Sequence, residues 1–224
     1  MPQKINKKIF LYIFLFLLIG SINNKNFNDF DYPKIKQIYI SGLSDNENLE
    51  LRKNLDFLKF DNLLFLNKIE IIEILGANNL IEKYSIFKIY PSTLKINITK
   101  TKILAQVKNI DDTFYLGSNG KVIKVDIGGK NIPFIFGKFE IKEFFELKKI
   151  IDESKLNYFE LKNLFFFNSG RWDVETNSGI IIKLPKQGVK KALELYKSVL
   201  RKEEFKNIKE IDLRQSNQII INGK

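Results

Sequence analysis

The segment Ile9–Ile22, IFLYIFLFLLIGSI, restricts this chain more than any other: it carries no charge. Lys4, Lys7 and Lys8 stand before it, and Asn23, Asn24, Lys25, Asp29 and Asp31 follow. As a helix it spans roughly 21 Å, short of the ~30 Å hydrocarbon core of a bilayer. Two readings fit. A cleaved signal peptide has a basic start and an apolar middle, but Gly20-Ser21-Ile22-Asn23 is a poor cleavage site. A retained anchor is short yet feasible, with Ile5 extending the apolar stretch and Lys7 and Lys8 snorkelling. Both readings deliver the rest of the chain across the membrane, and the lysines favour a cytoplasmic N-terminus. The expectation is a tail over 1–8 and a single transmembrane helix over 9–22, followed by a polar linker over 23–34 that Pro33 closes.

The remaining chain is of globular composition, 44% hydrophobic and 28% charged over 224 residues. It contains no Cys and no His, which excludes disulfides, thiol or imidazole catalysis and His- or Cys-ligated metals. Lys and Arg number 37 against 26 acidic residues, a net charge of +11. Abundant Lys, Ile, Asn and Phe accord with AT-rich codons; the same excess suits an anionic membrane surface or an acidic partner.

Beyond the linker, Lys36–Ser41 alternates and stops at Gly42, as a strand ending in a turn does. Ser44 with Glu47 forms a capping-box pattern before a helix carrying Leu51, Leu55 and Leu58. Asn67 with Glu70 begins a second helix, marked by Ile69, Ile72 and Leu75. Ile81–Tyr90 and Thr93–Thr99 read as strands around Pro91-Ser92, with Leu94, Ile96 and Ile98 on one face. The order is β-α-α-β-β. A second region, 103–224, reads as short strands at 105–107, 114–116, 122–125, 132–136, 159–167, 171–175, 180–184, 208–214 and 218–222. Asn119-Gly120 is a two-residue hairpin signal. Helices are expected over 140–154, with Phe144, Leu147, Ile150 and Ile151 on one side, and over 188–202, with a stripe of Val189, Ala192, Leu193, Tyr196, Val199 and Leu200.

Several stretches, in order, resemble the FtsQ/DivIB family of bacterial division proteins: Ile38–Gly42; Ile89–Ile96; Gly120-Lys121-Val122; Ile132-Pro133 with Gly137; Arg171-Trp172; Gly179 with Leu184-Pro185; and Ile211–Arg214. The resemblance runs along nearly the whole chain. It departs in the very short tail, in Ile103 where the family usually has Pro, and in the few residues after the last strand. It implies an α+β protein: a single transmembrane helix, a POTRA-type βααββ module over 35–102, and a mainly antiparallel β-domain with two helices over 103–224. It further implies a non-enzymatic division scaffold without cofactors. Such a scaffold sits in the inner membrane as a single-pass type II protein, its bulk periplasmic, at the septum. The implied partners are FtsB and FtsL, with FtsK for earlier recruitment through the POTRA module. No nucleic-acid or small-molecule partner is expected.

Individual motifs are weighed against structural roles. Tyr90-Pro91-Ser92-Thr93 reads as a turn. In Arg171-Trp172-Asp173, strand alternation places Trp172 inward and Arg171 and Asp173 outward, so Arg171 becomes a contact for an acidic partner. Glu47 and Glu70 are caps, Asp111-Asp112 lies in a turn, and Asp152 and Glu153 end a helix. Lys186, Lys190, Lys191, Lys197, Arg201 and Lys202 form the solvated face of the last helix, and Gly128-Gly129-Lys130 lacks the strand-loop-helix setting of a phosphate loop. With nothing after Lys224 to cover it, the strand Gln218–Asn222 is expected to leave unpaired backbone groups if it lies at a sheet edge, and the family resemblance implies that a segment of FtsB adds there as a strand. The candidate contacts are Arg171, Arg214, Gln215, Ser216, Gln218, Ile219, Ile220 and Ile221. Competing readings are a POTRA-bearing periplasmic chaperone or envelope-assembly factor and an anchored carboxylate enzyme.

Overall fold

The computed structural model describes residues 7–22, 32–108, 112–124, 132–154, 156–200, 208–215 and 218–223. Of the positions singled out above, Asp111, Gly128-Gly129-Lys130, Arg201, Lys202 and Ser216, with residues 1–6 and 23–31, lie outside these. Helix α1 covers Lys7–Ile22, 16 residues or about 24 Å. Among the described residues no helix is long and apolar enough to cross a membrane. The chain divides into two compact units, 1–71 with 85–97 and 72–84 with 98–224.

The first unit holds strand β1 (Gln37–Ser41), helix α2 (Asp45–Asn54), the start of helix α3 (Ile69–Ala77), and the larger parts of strands β2 (Ile81–Ile89) and β3 (Thr93–Lys100), whose residues 81–84 and 98–100 belong to the second. The sheet order is β1-β3-β2, and β1 runs parallel to β3 with Ile38 beside Leu94 and Ile40 beside Ile96. That parallel pair needs a long connection, which the helices supply. The Ser44 N–H donates to the Glu47 carboxylate at 2.9 Å and closes the start of α2. Leu51, Leu55 and Leu58 are buried as expected, although Leu58 sits in a separate 3-10 turn, Asp56–Phe60. Asn67 Oδ1 accepts from the Ile69 N–H at 3.1 Å, so Asn67 starts α3. The stripe of α3 differs from expectation: Ile71 and Leu75, four residues apart, are fully buried, whereas Ile69 and Ile72 are exposed. In a helix where five of nine residues are Ile or Leu, spacing alone does not select the inward row.

The second unit carries a nine-stranded sheet: β4 (Ile103–Lys108), β5 (Thr113–Gly117), β6 (Val122–Ile123), β7 (Phe134–Phe136), β8 (Leu161–Phe166), β9 (Trp172–Thr176), β10 (Ile181–Lys183), β11 (Ile208–Asp212) and β12 (Ile220–Gly223). Its order is β12-β11-β10-β9-β8-β7-β4-β5-β6. Antiparallel pairings prevail, but β4–β7, β7–β8 and β10–β11 are parallel. Helix α4 (Ile141–Glu153) connects the second of these pairs and helix α5 (Val189–Leu200) the third. These two parallel pairs thereby obtain the crossover they need, while between β4 and β7 the chain runs through β5 and β6.

Both helices bury their stripes in one cluster with the sheet: Phe144, Leu147 and Ile151 from α4, and Ala192, Leu193 and Tyr196 from α5. The sheet meets them with one register row, Val107–Ile135–Leu164–Val174–Ile182–Ile211–Ile221, crossing seven strands. Leu164, Val174, Ile182 and Ile211 are fully buried in it. At the far end Asn119 organises the hairpin expected from Asn119-Gly120. Gly120 has φ +75°, and the Asn119 side chain donates to the carbonyls of Asn79 and Ile81 at 2.9 and 3.0 Å.

Candidate partner-binding edge of the nine-stranded sheet

Strand β12 ends the sheet. It pairs antiparallel with β11, Asp212 opposite Ile220, Ile211 opposite Ile221 and Glu210 opposite Asn222. No described strand lies on its other side, so alternate backbone N–H and C=O groups of residues 220–223 face outward. Ahead of it, the Gln218 N–H donates to the Gln215 carbonyl at 3.4 Å. Ile219 and Ile221 pack against the main core, while Ile220 points to the opposite face with 46% of its surface exposed. Alternation along a strand produces this split.

The face to which Ile220 points is not the one the helices cover. Its register row reads Phe136–Phe165–Asp173–Lys183–Asp212–Ile220. The rings of Phe136 and Phe165 stack at 5.3 Å, and charges alternate along the rest of the row. Arg171 donates to Asp173 Oδ1 at 3.4 Å and lays its guanidinium 4.2 Å from the Phe167 ring centre. Lys183 meets Glu210 at 2.8 Å. Arg214 Nε lies 2.9 Å from both carboxylate oxygens of Asp212, and its backbone N–H donates to Oδ1 at 3.0 Å. Trp172 packs inward between Phe139 and Phe166, as alternation predicts. Asp173, expected to face outward, is on the outer face but only 4% exposed. Arg171 bends over it instead of projecting to solvent.

The two aspartates are tuned in opposite directions. Burial pushes the Asp173 carboxyl up, against the opposing pull of Arg171, Lys183 and Arg214. Asp212 is held below the usual carboxylate range, first by the hydrogen bond from the Arg214 side chain. Arg171 and Arg214, 43 positions apart in sequence, thus act on the same carboxylate. Both are engaged within the chain, so a partner carboxylate must share or displace an aspartate.

Between α5 and the residues that follow β11 lies a cleft of about 310 Å³, lined by Gln187, Lys191, Leu195, Leu213, Arg214 and Gln215 among others. Lys191, read in sequence as part of a solvated face, lines it together with Arg214. The signal for this was the Pro185–Gly188 turn, which starts α5 beside the end of β11. Among the described residues no group of three acidic side chains converges to hold a metal ion.

Family models match in the same order. Residues 34–100 match the FtsQ-type POTRA domain, and residues 105–214 match the C-terminal domain of the cell division protein FtsQ/DivIB. The cell division protein FtsQ of Bradyrhizobium diazoefficiens is 24% identical over 166 residues, covering 71% of this chain. The chain spans about half the length of that curated relative, 48% of it. A solved structure of the major extracytoplasmic domain of the trans isomer of the cell division protein DivIB from Geobacillus stearothermophilus is 14% identical. Its TM-score is 0.35, and the match covers 48% of this chain and 98% of that one.

Proposed function

The chain belongs to the FtsQ/DivIB family of cell division proteins, and from that premise we propose that it is a non-enzymatic scaffold of the septum. In this reading α1 is retained as a short anchor with its lysines on the cytoplasmic side, and the rest of the chain is periplasmic. The POTRA module, 35–102, serves early recruitment, with FtsK as its partner, and the β-domain, 103–224, binds FtsB and FtsL. A shared tether confines the partners to a thin layer and raises their effective concentration, so modest interfaces suffice.

The observation that supports partner binding is the outer edge of β12, beside which no described strand lies. A segment of FtsB adds there as a strand, its backbone supplying hydrogen bonds and Ile220 an apolar contact. Gln215 and Gln218 flank the approach to that edge, Ser216 between them in sequence is a further candidate contact, and Ile219 and Ile221 hold the strand to the core. Arg214 and Arg171 offer their guanidinium groups to partner carboxylates, Arg214 in competition with Asp212. The test is Ile220→Pro, which removes one donor and bends the edge. Measured by co-purification from solubilised membranes, FtsB is lost while the POTRA module stays folded. Retention of FtsB by this variant places the contact elsewhere.

A further inference from the structure

We propose that one end of the first unit docks on the surface of an anionic bilayer, an inference that rests on the anchor reading of α1. Three segments meet at this end. Lys34 bridges to Asn62, the Ile35 N–H donates to the Asp61 carbonyl at 2.9 Å, and the Lys36 N–H donates to the Ser92 carbonyl at 2.8 Å. The start of β1, the 60–65 segment and the β2–β3 turn are thereby held side by side. They share a cleft of about 200 Å³ lined by Tyr32, Pro33, Leu63, Leu64, Tyr90 and Pro91. Around it stand large side chains in the open: Phe60 is 78% exposed, Phe65 72%, Tyr90 58% and Leu64 52%. Tyr32 meets Phe65 edge-on at 5.4 Å.

Single exposed apolar residues are unremarkable, but a contiguous group of Phe, Tyr and Leu marks a binding surface. Two observations select lipid as the occupant. Tyr32 follows the end of the apolar helix α1 by ten residues, so it cannot lie more than about 35 Å from that end. Among the described residues within five positions of these segments, Lys34, Lys36, Lys59, Lys68, Lys88 and Lys95 stand against Asp56, Asp61 and Glu70. Lys59 already pairs with Asp56 at 2.8 Å, which leaves the balance positive. Aromatic side chains with nearby lysines are the combination that settles at headgroup level over anionic lipid.

The chain has no native Cys, so single engineered thiols are unique reporters. An environment-sensitive fluorophore is placed at Phe65→Cys, and separately at Phe60→Cys, in the full chain reconstituted into phosphatidylcholine vesicles containing phosphatidylglycerol. Ile13→Cys reports on α1. Asn46→Cys, beyond the far end of β1, is the control. Blue-shifted emission and quenching by lipid-borne quencher at 65, 60 and 13, with 46 in water, is the expected result, weakening at 65 and 60 when phosphatidylglycerol is omitted. Probes at 65 and 60 in water with 13 in lipid overturn the docking and leave the anchor standing, the face then belonging to a protein partner or a second copy. A water-exposed probe at 13 removes the anchor and the docking with it. Lipid burial at 46 as well, or equal burial at 65 and 60 without anionic lipid, overturns the assignment.

Discussion

Two aspartates on one register row give opposite responses to pH. Asp212 is held below its ordinary range by Arg214, so its contribution to stability is present above the unfolded carboxylate pKa and is lost as pH falls through the lower folded value. Asp173 is pushed up by burial, so its ionisation costs stability as pH rises from the unfolded value through the raised folded one. Asp212→Asn is therefore expected to lower the melting temperature at neutral pH and to lose that effect toward strong acid. Asp173→Asn is expected to flatten the decline of stability between the ordinary aspartate range and neutrality. Thermal melts across pH check both, and parallel profiles for the two variants contradict the assignment. Backbone conformation gives a second test at this scale. Gly137 has φ +102°, and a Cβ there would run into the Phe166 carbonyl. Gly137→Ala should cost about 2 kcal/mol or more, read by denaturant unfolding, and a neutral result would mean that this turn relaxes.

Elements repeat the distinction between local and distant causes. Leu94 is fully buried on β3 beside Ile38 of β1. Leu94→Asp puts an unpaired carboxylate there at a cost on the order of 3–5 kcal/mol, enough to unfold the POTRA region. Limited proteolysis should cut that region while the β-domain resists; joint loss of both contradicts their independence. Much of the element pattern was legible because its signals are local. Ser44 with Glu47, Asn67, Asn119-Gly120 and the period-two run through Leu94, Ile96 and Ile98 each specify neighbouring backbone. Less legible was whatever depends on distant partners. Nothing in 132–136 or 159–167 reveals that β7 and β8 run parallel, since the pairing follows from α4 crossing between them. The inward row of α3 was ambiguous because most of its faces are apolar. At the candidate site, alternation located Trp172 but not the burial of Asp173, whose neighbours come from β8 and β10 and from Arg171. Nor did sequence show that Arg214 folds back on Asp212, or that Lys191 shares its cleft.

At the scale of the whole molecule, an apolar helix precedes two domains that match the FtsQ-type POTRA domain and the FtsQ/DivIB C-terminal domain. If α1 is retained, mass spectrometry of the membrane-bound protein finds the N-terminus at or next to Met1; a mature start near residues 21–24 contradicts the anchor. Charge reversal at Arg214→Glu sets two carboxylates against each other beside β12 and should weaken partner binding several-fold, more at low salt than at high. The central claim is that the outer edge of β12 receives the partner strand. Hydrogen–deuterium exchange of the full chain with and without FtsB measures those amides directly. The account predicts new protection at residues 220–223 on FtsB binding, with β6 at the opposite edge unchanged. Bound FtsB with unaltered exchange in β12 would contradict it.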